Sequence, residues 1–132
     1  MENHFVGQVT QKAVLKYKDS FVLVKEKTHE KWILPGGRMN FGETTDEGLL
    51  RELKEELGVD CEIENLLSVH AYQGGDEKSP KLFVFYTASV LPEQEILIDN
   101  EITKMAFVSQ KEDLEKYPMN DNQKVVIEKF LK

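Results

Sequence analysis

The sequence predicts an α/β protein in which helices pack on a sheet of mixed strands. Three observations lead there. Short apolar, β-branched runs of strand length recur along the chain. Other stretches carry the 3.6-residue apolar period of a helix. The two kinds are interspersed without the strict alternation of an all-parallel sheet, which points to layers around a mixed one. The 132 residues are expected to form a single domain over 1–132, because a second core would be starved of apolar surface.

The first strand is expected over 6–17, where Val9, Ala13, Val14 and Leu15 stand among polar residues. Lys18-Asp19-Ser20 is turn-like and Phe21-Val22-Leu23-Val24 is β-rich, so the two strands read as a hairpin. Trp32-Ile33-Leu34 is a short apolar piece stopped by Pro35-Gly36-Gly37, a strong loop signal. A helix follows over 45–57, marked at both ends. Thr44 with Glu47 three residues on is a capping-box pattern, Asp46 and Glu47 suit the positive end of the helix dipole, and Gly58 suits a left-handed stop. Leu49, Leu50, Leu53 and Leu57 supply its apolar stripe. Strands are expected near 62–73 and 81–91, with the loop 74–80 between them as a candidate cap over a pocket. Another strand is expected over 102–108, and helices over 110–116 and 121–131, the last with Val125, Val126, Phe130 and Leu131 to one side.

Composition removes several functions. With 24 acidic and 17 basic residues the net charge is −7, which argues against broad capture of nucleic acid, so no stable nucleic-acid partner is expected. No apolar run approaches the ~18 residues of a membrane span, and the first residues lack a signal pattern. The lone Cys61 excludes an internal disulfide and a multi-cysteine zinc site. A cytoplasmic protein without a membrane partner is the expectation. The charge is also uneven: residues 1–42 carry 7 basic and 4 acidic side chains, residues 43–58 carry 2 and 6, and residues 59–132 carry 8 and 14. The middle block is the densest.

That block is the helix over 45–57, and one of its faces is costly. Glu52, Glu55 and Glu56 stand at i, i+3 and i+4, where like charges destabilise a helix by roughly 0.2–0.5 kcal/mol per pair. Two readings remain at this point: a solvated acidic face partly neutralised by Arg51 and Lys54, or hard oxygen donors gathered for Mg²⁺ or Mn²⁺. The glycine-rich stretch directly ahead favours the second, since glycine lets backbone approach a metal or phosphate closely.

Gly37, five residues, Glu43, seven residues, then Arg51-Glu52-Leu53-Lys54-Glu55-Glu56-Leu57-Gly58-Val59 resembles the Nudix box of the Nudix hydrolases, with every fixed position filled. Pro35-Gly36 fits the usual entry to that box, and the strands and helices around it are similar to the family's α/β/α sandwich around a mixed β-sheet. Gly48 stands where the family usually has Ala. The resemblance implies hydrolysis of a diphosphate linkage in a nucleoside diphosphate derivative, assisted by two or more Mg²⁺ ions, with Mn²⁺ as a substitute. It implies Glu52, Glu55, Glu56 and the Gly36 carbonyl as metal ligands, and Glu43 and Arg51 as residues that lock the loop and orient the glutamates. The carboxylate that takes the proton from water is expected to be Glu52 or Glu55, or else Glu101, which looks like an acid that many members carry there and is expected as that base or as an additional metal ligand. A Nudix-fold module that senses nucleotides without catalysis usually loses box glutamates, and an RNA-end hydrolase calls for a more basic approach surface.

Tyr117-Pro118-Met119-Asn120 resembles the MutT-type nucleoside triphosphatases, in which the asparagine reads a purine edge. An amide can pair a donor and an acceptor together, yet Asn120 is equally placed to cap the last helix. Arg38 and Trp32 are the other residues expected at the substrate, Trp32 as a pocket wall. The expectation is a (d)NTP pyrophosphohydrolase, with ADP-ribose, sugar nucleotides or dinucleoside polyphosphates as alternative substrates. Many members are homodimers, so monomer and homodimer are both open.

Overall fold

The computed structural model describes residues 3–73, 80–98 and 102–132. Nine elements follow in order: β1 (Gln8–Tyr17), β2 (Ser20–Glu26), β3 (Gly36–Arg38), α1 (Thr45–Leu57), β4 (Cys61–Tyr72), β5 (Lys81–Val90), β6 (Ile102–Val108), a 3₁₀ helix (Lys111–Lys116) and α2 (Asp121–Glu128). The strands form one sheet in the order β4-β5-β1-β2-β6, with β3 also on β1.

β1 organises this sheet. The β1–β2 hairpin is paired only beside its turn, Lys16 with Phe21 and Tyr17 with Ser20. Along the rest of its length β1 runs parallel to β5, from Gln8 opposite Lys81 to Lys16 opposite Ser89. β4 pairs antiparallel with β5 and β6 antiparallel with β2, so the sheet is mixed. Side chains alternate across a strand, and β1 sends Val14 into one core and Ala13 and Leu15 into another. The first core joins Val14, Leu23, Phe83 and Phe85 to Leu114 of the 3₁₀ helix and to Val126 and Ile127 of α2. The second joins Ala13, Leu15, Val22 and Val24 to Leu49, Leu53 and Leu57 of α1. Central strands buried on both faces read as continuous apolar runs, which accounts for Ala13-Val14-Leu15 and Val22-Leu23-Val24. Layers of helix on each side of the sheet are the α/β architecture that the sequence predicts.

Helix α1 begins and ends as its sequence dictates. The Thr44 hydroxyl accepts from the Glu47 N–H while the Glu47 carboxylate accepts from the Thr44 N–H, and Gly58 closes the helix at φ 68°. Leu49, Leu53 and Leu57 are fully buried, each contributing about 1.5–3 kcal/mol of burial. Leu50 is not part of that stripe: it is 38% exposed, and its place beside Leu53 is taken by Glu56, three residues on and 6% exposed. Other departures are local. The segment expected as a helix over 110–116 is a 3₁₀ turn, whose Asp113 carboxylate accepts from the Ser109 and Gln110 N–H groups. α2 stops at Glu128 rather than 131. Gly36–Arg38, expected as loop, is a short strand because it finds β1 to pair with.

Candidate active site

The site is built on β3 and the second half of α1. Antiparallel pairing sets Gly36 opposite Lys12, Gly37 opposite Gln11 and Arg38 opposite Thr10, and the Ala13 N–H donates to the Pro35 carbonyl at 2.9 Å. Gly36 holds φ 139°, and a Cβ there would run into the Gln11 carbonyl. Gly37 is needed for a different reason: a Cβ would stand 2.5 Å from the carboxyl carbon of Glu52. The Glu52 carboxylate therefore lies directly on the loop backbone.

Arg51 ties loop and helix together with all five of its N–H donors. Nε donates to Glu43 at 2.6 Å, Nη1 to Glu52 and to Glu55 at 3.1 Å each, and Nη2 to Glu43 at 3.1 Å and to the Arg38 carbonyl at 3.0 Å. Glu43 also accepts from the Asn40 N–H at 2.7 Å, turning the loop back on itself. The Arg51 hydrogen bonds, then that from Asn40, hold the Glu43 carboxyl below its ordinary range. Glu52 is half-buried, and burial raises its pKa against the pull of Arg51. Glu56 is buried, accepts from the Gly36 N–H at 3.1 Å, and is also raised by burial, with Lys12 opposing. Glu55 remains exposed at the rim.

A cavity of about 1070 Å³ opens over this face. All three glutamates line it, together with Gly36, Arg38 and Asn120. Asn120 has the backbone of an N-cap but makes no side-chain capping bond, so its amide remains available to the cavity. Glu43 and Arg51 stand behind the glutamates rather than on the cavity wall. Trp32 does not line the cavity; its ring stands edge-on to Tyr117, centroids 4.9 Å apart. Its backbone holds it there, because the Trp32 N–H donates to the Pro118 carbonyl and Trp32 bridges to Met119. Glu101 and residues 74–79 of the expected cap lie outside the described residues.

The sequence reading missed Lys12. It is 6% exposed, faces the cavity from β1, and donates to the Leu34 carbonyl at 3.1 Å. Burial lowers its pKa, with Glu56, Glu26 and Glu52 pulling the other way in that order. A lysine immediately before the run Ala13-Val14-Leu15 was the available signal. Glu26, Tyr72 and His29 also reach the cavity, as does Gln123, whose Oε1 accepts from the Leu34 N–H at 2.8 Å.

Among the described residues no three carboxylates, imidazoles or thiols are gathered tightly enough to hold an ion by themselves. Arg51 draws Glu52 and Glu55 toward its own plane and the Gly36 N–H holds Glu56, so the acids are spread along the helix face. Mg²⁺ does not need an all-protein cage, since it keeps several waters and is held by one or two carboxylates with substrate phosphates. The donors here are all hard oxygens, the ligand class that Mg²⁺ and Mn²⁺ favour. The residues fit a divalent cation.

A family model described as NUDIX domain matches residues 9–130. The human 8-oxo-dGDP phosphatase NUDT18 is 50% identical over 58 residues, which are 42% of this chain and 18% of that protein. An ADP-ribose pyrophosphatase of Methanocaldococcus jannaschii is 26% identical over 111 residues, covering 74% of this chain and 66% of that one. The match to NUDT18 thus spans under a fifth of that relative's length. Among solved structures, a MutT protein from Methanosarcina mazei superposes with a TM-score of 0.78 at 20% identity, over 93% of this chain and 91% of that one, a likeness of fold.

Proposed function

The chain belongs to the NUDIX family, and from that premise we propose that it is a divalent-metal-dependent (d)NTP pyrophosphohydrolase of MutT type. The observation that carries the reading is one cavity lined both by Glu52, Glu55 and Glu56 and by Asn120, whose side chain makes no capping bond. Divalent ions at the glutamates would shield the diphosphate and lower the pKa of the attacking water. Glu52, Glu55, Glu56 and the Gly36 carbonyl are the ligands in this reading. Glu43 and Arg51 keep the glutamates oriented, as their five hydrogen bonds suggest. Glu52 or Glu55, or else Glu101, takes the proton from the attacking water in this reading. Arg38 meets the phosphates at the loop, and Asn120 pairs with a purine edge.

ADP-ribose is the second reading, favoured by the alignment of an ADP-ribose pyrophosphatase over 74% of this chain. The test is release of phosphate or pyrophosphate with Mg²⁺ or Mn²⁺ across (d)NTPs, ADP-ribose, sugar nucleotides and dinucleoside polyphosphates. A purine (d)NTP is expected to give the highest kcat/KM. ADP-ribose in first place would favour the second reading, and no cleavage with either metal would remove both.

A further inference from the structure

Gln11 is fully buried on the α1 face of β1, and its amide bridges the glycine loop and the helix. Nε2 donates to the Gly37 carbonyl at 2.8 Å. The other side of the amide rests on Gly48, where a Cβ would stand 2.9–3.0 Å from the amide atoms. Gly48, the departure from the family's usual alanine, therefore makes room for this side chain. Oε1 has no hydrogen-bond partner, and it is the one buried side-chain polar atom in that state among the described residues.

Both halves of this contact work against stability. A glycine inside a helix is less favourable than an alanine, and a buried acceptor without a donor carries its full desolvation penalty. A methionine opposite an alanine would fill much of the same space with apolar atoms and remove both penalties, at the loss of one hydrogen bond to the part-buried Gly37 carbonyl. Packing therefore does not account for the pair. Position does: the Gly37 backbone that the amide grips is the surface on which the Glu52 carboxylate lies, and Gly48 is one helical turn before Glu52.

We propose that Gln11 is a positioning residue for the metal site, setting the spacing between the glycine loop and α1 through Gly37 and Gly48. It fixes where the Glu52 carboxylate and the Gly36 carbonyl stand relative to each other. The inference rests on the reading of these two groups as metal ligands.

Gln11→Met, Gly48→Ala and the double variant test it, through thermal melting, Mn²⁺ titration followed by electron paramagnetic resonance, and steady-state kinetics. Gln11→Met is expected to melt at or above the wild-type temperature while its Mn²⁺ affinity falls roughly 10-fold or more, the scale of losing a group that orients a ligand. Its kcat is expected to fall with KM for the nucleotide unchanged. Gly48→Ala is expected to weaken Mn²⁺ binding by displacing the amide, and to add nothing in the Gln11→Met background. Unchanged Mn²⁺ binding in Gln11→Met, a lowered melting temperature, or additive losses in the double variant would each overturn the proposal. So would a wild-type protein that binds no Mn²⁺. A wild-type protein that binds Mn²⁺ but cuts no nucleotide would end the functional reading, and the Mn²⁺ titrations would still decide the role of Gln11.

Discussion

Glu56 carries two opposed demands in one side chain. It occupies a core-side position on α1 at 6% exposure, and its carboxyl is held there by one backbone N–H and by the nearby charge of Lys12. An amide of the same shape keeps the hydrogen bond from Gly36 and drops the buried charge. Glu56→Gln is therefore expected to keep the fold in the absence of metal, with some loss of thermal stability because buried Lys12 loses the carboxylate that most favours its charge. Its turnover is expected to fall at least about 100-fold, the several kcal/mol that a Lewis-acidic ion contributes. Near-normal turnover of this variant in a Mg²⁺ assay would remove Glu56 from the ligand set.

Helix α1 shows how local signals and long-range ones divide. Its start depends on two reciprocal hydrogen bonds between Thr44 and Glu47, and the cap holds the first turn, from which the Arg51 lattice and the glutamates follow. Thr44→Ala is expected to lower stability by about 1 kcal/mol in urea unfolding, with the slope against denaturant unchanged. No shift in the midpoint would mean that the loop hydrogen bonds alone hold the helix start. This element was legible in the sequence because its cap, dipole partners and leucine spacing all lie within fifteen residues. Leu50 was misread because a stripe drawn from leucines alone ignores that the neighbouring buried position is filled by a glutamate.

At the scale of the whole molecule, the parallel pairing of β1 with β5 was not legible, because it joins residues about seventy positions apart with no turn to announce it. Lys12 and Gln11 were missed for the same reason. Which face of β1 each occupies depends on a register set by β3 and β5, and only that register puts the lysine at the cavity and the amide under α1. The glutamates were legible because a helix face is set by spacing alone. A protein that holds several acids at one mouth should be stabilised by the cations they bind. Mg²⁺ or Mn²⁺ at a hundredfold excess over Kd is expected to add about 2.7 kcal/mol, read as a raised Tm that a chelator reverses. A Tm indifferent to both metals would count against a site at the glutamates.

The strip from Trp32 to Leu34 runs straight into Pro35 and Gly36, and it is stitched along its length to the segment that carries Asn120. Trp32 bonds to Pro118 and bridges to Met119, and Leu34 bonds to Gln123. In the proposed reading, base preference and cleavage rate are thereby written on one piece of backbone. A lineage adjusting its preference through residues 117–123 disturbs the glycine loop with the same mutation. Descendants with new preferences should carry compensating changes at 32–34, and the two stretches should evolve as a pair.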